Sequence, residues 1–168
     1  MKKRVLPVGI QSFKDIREKN FVYVDKTEYV WKLSTDVKSY FLSRPRRFGK
    51  SLFISTLESY FSGEKELFKG LYIEKKEPER GEDAWAKYPV ISFYLSGGQY
   101  NELDGLKNIL DDSLDAVEKK YNLKKSSYDL SIRFKDIIRQ LFEKTSRQED
   151  VLVEEYDKPL LPTMISKP

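Results

Sequence analysis

The chain has 168 residues and a mass of 19.8 kDa, the size of one domain, and its 14% aromatic content belongs to a folded body rather than a disordered tail. Lys and Arg exceed Asp and Glu by 31 to 27, and the excess is local: residues 1–60 hold 13 basic and 6 acidic side chains, so the first third is where an anionic ligand would dock if the chain has one, the plain alternative being a basic region that only aids solubility. Cysteine and histidine are absent, which excludes disulfides, thiolate or imidazole metal sites and any Ser–His or Cys–His dyad, while carboxylates remain to hold Mg²⁺.

The basic start Met1-Lys2-Lys3-Arg4 is followed by no apolar signal segment, and no stretch approaches the roughly 18 apolar residues of a membrane span; a cytoplasmic, membrane-free protein is the expectation. Residues 5–10 read as an extended lead-in interrupted by Pro7 and Gly9. Ser12 caps a short predicted helix over 12–19, with Phe13 and Ile16 on one face. Phe21-Val22-Tyr23-Val24 is β-prone and ends at Asp25-Lys26-Thr27; a helix to about Leu33 then buries Tyr29, Val30 and Leu33. Tyr40-Phe41-Leu42 reads as a strand. Ser43-Arg44-Pro45-Arg46-Arg47-Phe48-Gly49 cannot continue it, because Pro45 lacks a donor and Gly49 frees the backbone. Lys50-Ser51 opens a helix with Phe53, Leu57 and Tyr60 or Phe61 on one side and Gly63 as its stop.

Residues 64–73 predict a small packed turn, and the polar stretch 74–84 a surface loop anchored by Trp85 and Tyr88. Val90–Leu95 is the clearest strand, nearly all apolar, with Gly97-Gly98 ending it. A helix follows from about Glu102 to Lys120, capped by Asn101 and striped by Leu103, Leu106, Leu110, Leu114 and Val117. Another from about Ser131 to Lys144 buries Phe134, Ile137, Ile138 and Leu141. Val151-Leu152-Val153 forms a last strand, closed by Glu154-Glu155-Tyr156-Asp157. This alternation predicts an α/β, P-loop NTPase-like fold, a largely parallel sheet with flanking helices, and ligands in such sheets bind at the carboxyl ends of the strands.

Two polar clusters stand at those ends. Arg44-Pro45-Arg46-Arg47-Phe48-Gly49-Lys50-Ser51 matches the phosphate-loop pattern G-x-x-x-x-G-K-[ST] at its second glycine, lysine and serine, with Arg44 replacing the first glycine. Backbone donors at the helix start, including that of Leu52, would form an anion nest. Gly49 lets the backbone approach phosphates, Lys50 reaches the β and γ phosphates, and the Ser51 hydroxyl takes one Mg²⁺ position. Arg44, Arg46 and Arg47 add charge. The plain alternative is a basic turn before an ordinary helix. A second alternative is a nucleic-acid-binding module, with the three arginines and Lys50 on phosphates and Phe48 stacked on a base; a third is a non-catalytic interaction domain. In the other cluster Glu154 is the candidate Mg²⁺ ligand and Glu155 the candidate general base, against the reading of a solvated strand end.

The two clusters, with Leu6-Pro7-Val8-Gly9-Ile10, Tyr23-Val24-Asp25-Lys26-Thr27, Leu67–Ile73, Tyr88-Pro89-Val90-Ile91 and Glu155-Tyr156-Asp157-Lys158-Pro159, resemble the AAA-ATPase-like domain of a large bacterial and archaeal family. The resemblance covers nearly the whole chain, and its Arg-Pro-Arg-Arg-Phe-Gly-Lys-Ser block is specific. It implies that arginine is normal at position 44 and that the Val24–Thr27 segment lies near the nucleotide. It also implies ATP and Mg²⁺ as cofactors, catalytic roles for Lys50 and Glu155, and, in longer relatives, a C-terminal PD-(D/E)XK nuclease-like domain as partner. Residues 1–168 would be the N-terminal portion of the ATPase-like domain, incomplete at its C-terminus and hydrolysing ATP only in a longer chain. Related AAA domains order their strands 5-1-4-3-2, of which two would be missing. The chain departs from the family in carrying Glu154 where aspartate is usual, and it has no Pro-Asp dipeptide of the nuclease signature. Neither substrate, pathway nor oligomeric state is named by these residues.

Overall fold

The computed structural model describes residues 4–35, 39–43, 45, 47–95 and 103–155. The chain divides into two compact units, residues 1–87 and 88–168.

The first unit is built from helices and turns. Helix α1 (Phe13–Glu18) starts at Ser12, whose Oγ accepts from the Asp15 amide at 3.1 Å. Phe13 and Ile16 lie on one turn of it and are fully buried. Helix α2 (Thr27–Thr35) buries Val30 but leaves Tyr29 half exposed, so the expected burial of Tyr29 does not occur. Helix α3 (Lys50–Phe61) buries Phe53, Leu57 and Tyr60 at the expected helical spacing. It stops as Gly63 takes a left-handed φ of 70°, letting the Glu64 amide reach back to the Ser59 carbonyl. A 3₁₀ turn (Lys65–Phe68), helix α4 (Tyr72–Lys76) and a second 3₁₀ segment (Glu77–Asp83) complete the unit. Its centre is aromatic: the Phe68 ring lies 4.9 Å from Phe13 and 5.5 Å from Trp85, centroid to centroid. Each such ring, withdrawn from water, contributes about 1.5–3 kcal/mol.

The second unit pairs strands β1 (Val90–Tyr94) and β2 (Asp150–Glu154) in parallel, with Ile91 opposite Val151 and Phe93 opposite Val153. Helices α5 (Leu103–Tyr121) and α6 (Leu130–Thr145) connect them. Ile91, Leu114, Val117, Ile137 and Leu141 form the core, with Phe93, Phe134 and Ile138 against it. Both strands and both helices stand where the apolar pattern puts them. The expected Asn101 cap and Gly97-Gly98 stop lie outside the described residues.

The expected α/β, P-loop-type sheet is not what forms. The chain is predominantly helical, and among the described residues its sheet has two strands. The β-prone segments 21–24 and 40–42 are not strands. A strand needs a ladder partner, and propensity alone does not provide one. Val22 donates a single backbone bond to the Val5 carbonyl at 3.0 Å, while the Tyr23 ring turns into the core against Phe13. At β1 the Tyr121 hydroxyl occupies a position where a further strand would pair: it accepts from the Val90 amide at 2.8 Å and donates to the Val90 carbonyl at 3.3 Å. The polar stretch 74–84 is likewise not a surface loop, because it coils into α4 and the 3₁₀ segment and buries Glu77 completely.

Candidate functional site

Helix α3 opens at Gly49, which has φ 75° and ψ 29° and supplies no side-chain cap. No acidic residue stands in its first turn. The other helices of this unit are closed at that end. In α1 the Ser12 hydroxyl caps, and Asp15 follows. For α2 and α4, Asp25 and Thr27 serve both starts. Asp25 Oδ1 accepts from the Thr27 amide at 2.8 Å and from the Thr27 hydroxyl at 2.7 Å. Asp25 Oδ2 accepts from the Tyr72 amide at 2.7 Å, and Thr27 Oγ1 from the Ile73 amide at 3.1 Å. This is the work of the Val24–Thr27 segment in the fold: one carboxylate and one hydroxyl fasten two helix starts together. At the start of α3 no side-chain cap hydrogen bond does this.

The turn before α3 is shaped for close approach. Phe48 donates its amide to the Pro45 carbonyl at 3.4 Å, and the Phe53 amide bonds the Gly49 carbonyl at 3.0 Å. Around a Cβ built on Gly49 nothing comes within 4 Å, so the left-handed backbone, not crowding, calls for glycine there. Arg47 is also left-handed, at φ 67°.

Six described non-glycine residues have positive φ: Asn20, Arg47, Trp85, Asn122, Ser146 and Glu155. Asn20, Asn122 and Ser146 follow the ends of α1, α5 and α6, where this conformation closes a helix. Trp85 is fixed by its ring contacts and by its amide, which donates to Glu77 Oε1 at 2.9 Å. The remaining two are Arg47 and Glu155, both site residues on sequence grounds. Backbone held in a sparsely populated region commonly marks a functional position.

Gly49, Lys50, Ser51 and Leu52 thus stand together at the start of α3, with exposed Arg47 and Phe48 leading into it. Glu154 ends β2 in the second unit, where its carbonyl accepts from the Leu95 amide at 3.1 Å, and Glu155 follows. Arg44, Arg46 and the Tyr156–Pro159 motif lie outside the described residues. Among the described residues no group of three or more carboxylates is placed to hold a metal ion, and no helix is long and apolar enough to cross a membrane.

Two buried polar clusters escaped the sequence reading. Tyr60 on α3 donates to Glu77 Oε2 at 2.9 Å, while Arg80 donates to the Tyr60 oxygen at 2.7 Å. Burial pushes the Tyr60 hydroxyl up to about 12. In the second unit Arg133 of α6 is 0% exposed. It donates to Glu118 through Nε at 2.8 Å and Nη2 at 2.7 Å, and to Asp111 and Asp115. Hydrogen bonds from Lys125 and then Arg133 hold the Asp115 carboxyl below its ordinary value. A signal existed: Asp111, Asp115 and Glu118 recur at spacings of four and three, an acidic stripe beside the leucine stripe of α5.

A family model described as predicted AAA-ATPase matches residues 7–168. The chain belongs to that family. It is 37% identical over 165 residues to the "Uncharacterized protein in vnfD 5'region" of Azotobacter chroococcum mcd 1, covering 96% of this chain and 30% of the relative. The chain thus spans less than a third of that relative's length. No solved structure matches significantly. The family match supports the ATPase-like part of the resemblance and carries no nuclease-like part. In this member of the AAA-ATPase-like family, the Gly49-Lys50-Ser51 stretch of the family block is the start of α3.

Proposed function

We propose that the chain binds the triphosphate of ATP, with Mg²⁺, at the turn that opens α3. One observation carries this reading: a twelve-residue helix begins at a left-handed glycine, followed by Lys-Ser, with no side-chain cap and no carboxylate in its first turn. Such a start offers backbone donors and a positive dipole end to an anion. The donor set fits phosphate. The amides of Lys50, Ser51 and Leu52 face the helix start, Lys50 adds a full charge for the β and γ oxygens, and Arg44, Arg46 and Arg47 enlarge the attraction. Phe48 and Gly49 shape the turn.

Mg²⁺, when bound, would neutralise charge on the phosphate oxygens, with the Ser51 hydroxyl as its ligand on α3; Glu154 keeps its proposed Mg²⁺ role from its place in the sequence alone. Glu155 is assigned the base that draws a proton from attacking water during hydrolysis, and Lys50 the charge that stabilises the transferring phosphoryl group. These acidic roles rest on position in the sequence and on family membership.

Thermal unfolding with and without Mg–ATP tests the proposal. A ligand at 100 times its Kd stabilises the folded state by about 2.7 kcal/mol. The midpoint should rise for the native chain and for Glu155→Gln but stay put for Lys50→Ala. Phosphate release, where the native chain shows it, should vanish in Glu155→Gln. A Lys50→Ala chain that still responds to Mg–ATP would end the proposal.

A further inference from the structure

The backbone and the ring of Phe48 are engaged differently. The backbone belongs to the turn that opens α3, donating its amide to the Pro45 carbonyl at 3.4 Å. The ring is 63% exposed, and among the described residues it makes no ring contact, whereas Phe13, Phe53 and Phe68 of the same unit are buried in the core. An exposed ring is common on a protein surface, so exposure alone says little. Its place says more. Phe48 follows exposed Arg47 and stands two residues before Lys50, the first residue of α3. Gly49, which separates it from the helix, interposes no side chain, and nothing lies within 4 Å of the position a Cβ would take there. A flat apolar surface therefore adjoins the helix start at which the triphosphate is proposed to bind.

We propose that Phe48 determines the ligand class of this site: its ring stacks on the base of the bound nucleotide, so the site takes nucleoside triphosphates in preference to inorganic polyphosphates. The inference rests on the phosphate site proposed above and adds what that site lacks. The first amides of α3 and the Lys50 ammonium recognise phosphate oxygens, and ATP and tripolyphosphate present the same oxygens. A ring beside them offers a surface that only the nucleoside can use. Every base has a π-face, so the contribution of Phe48 is the same for adenine and for guanine.

Calorimetric titration of the 168-residue chain with Mg–ATP, Mg–GTP and Mg–tripolyphosphate tests it. Both nucleotides should bind more tightly than tripolyphosphate. Phe48→Ala should weaken both nucleotides by the same factor, roughly 5- to 150-fold, the worth of one stacked base, and leave tripolyphosphate unchanged. Phe48→Trp should keep the nucleotide affinity, and its added fluorescence should respond to either nucleotide and not to tripolyphosphate. Phe142→Ala, which removes a comparably exposed ring on α6, should change nothing. An equal loss for all three ligands in Phe48→Ala would show that the ring only shapes the turn and would overturn the proposal. So would an alanine variant that binds like the native chain. The phosphate site is judged separately, because Lys50→Ala should lose all three ligands. Tripolyphosphate bound through Lys50 as tightly as ATP leaves the phosphate site standing and removes the role of Phe48; a native chain that binds none of the three removes both.

Discussion

Arg47 offers a direct way to ask whether the turn before α3 serves the fold or a ligand. Its φ of 67° is left-handed, a conformation that costs an L-residue with a Cβ roughly 1–2 kcal/mol. Its side chain is exposed, so packing gives little in return. Glycine would remove the strain and add about 0.5–1 kcal/mol of chain entropy to the unfolded state. Arg47→Gly should therefore leave stability unchanged or raise it by up to about 1.5 kcal/mol. Gly49→Ala is the matched control: at φ 75° with nothing within 4 Å of the added methyl, only the dihedral is penalised, and about 1 kcal/mol should be lost. Urea unfolding read by tryptophan fluorescence isolates this unit, because both tryptophans, Trp31 and Trp85, lie within residues 1–87. Calorimetric titration with Mg–ATP completes the test. Loss of one charge-assisted phosphate contact should weaken binding about tenfold in Arg47→Gly. A fall in stability of more than about 1 kcal/mol would show that Arg47 anchors the turn, and an unchanged affinity would show that its charge does not serve the phosphates; either result refutes the reasoning.

Two further predictions concern the buried polar clusters. Arg133→Met strands Glu118 in the second unit's interior and should cost about 3–5 kcal/mol by urea unfolding followed in the far-ultraviolet, whereas Arg133→Met combined with Glu118→Leu should recover most of it. Asp115 titrates below its ordinary 3.8, so its contribution is present above that pH and lost on acidification through the lowered value; the acid limb of the stability curve should flatten in Arg133→Met. Tyr60→Phe removes a hydrogen bond to the buried Glu77 carboxylate and should destabilise the first unit by about 1.5–3 kcal/mol. Because the Tyr60 hydroxyl is raised from 10.0 to about 12, its share of stability is complete below pH 10 and lost as pH rises through 12. That alkaline loss should be smaller in Tyr60→Phe, measured by the same fluorescence assay.

The parts of the fold legible from sequence are those where one face meets one core. Leu114, Val117, Ile137 and Leu141 repeat at helical spacing because α5 and α6 each bury a single stripe, and Val90–Tyr94 opens with consecutive apolar residues because Val90 and Ile91, on opposite faces of the strand, are both buried. What failed depended on partners that are distant in sequence. Tyr40-Phe41-Leu42 has the composition of a strand, but a strand is a relation between two segments, and among the described residues 40–42 belong to no sheet. The polarity of 74–84 implied a surface, yet Glu77 is buried because Tyr60, seventeen residues earlier, and the Trp85 amide supply its hydrogen bonds. The same limit acted at the candidate site. Gly49-Lys50-Ser51 could be read because helix start and anion donors are contiguous, and the structure puts them at the start of α3. The roles of Glu154 and Glu155 depend on which elements meet across the fold, and a linear motif reports the order of such residues without their distance. The left-handed φ of Arg47 and of Glu155 adds what the motif lacked, a local cost at two of the site positions that sequence had already selected. A turn that only joined two segments would be better made with glycine at position 47, so the Arg47→Gly pair of measurements separates a role in the turn from a role toward a ligand.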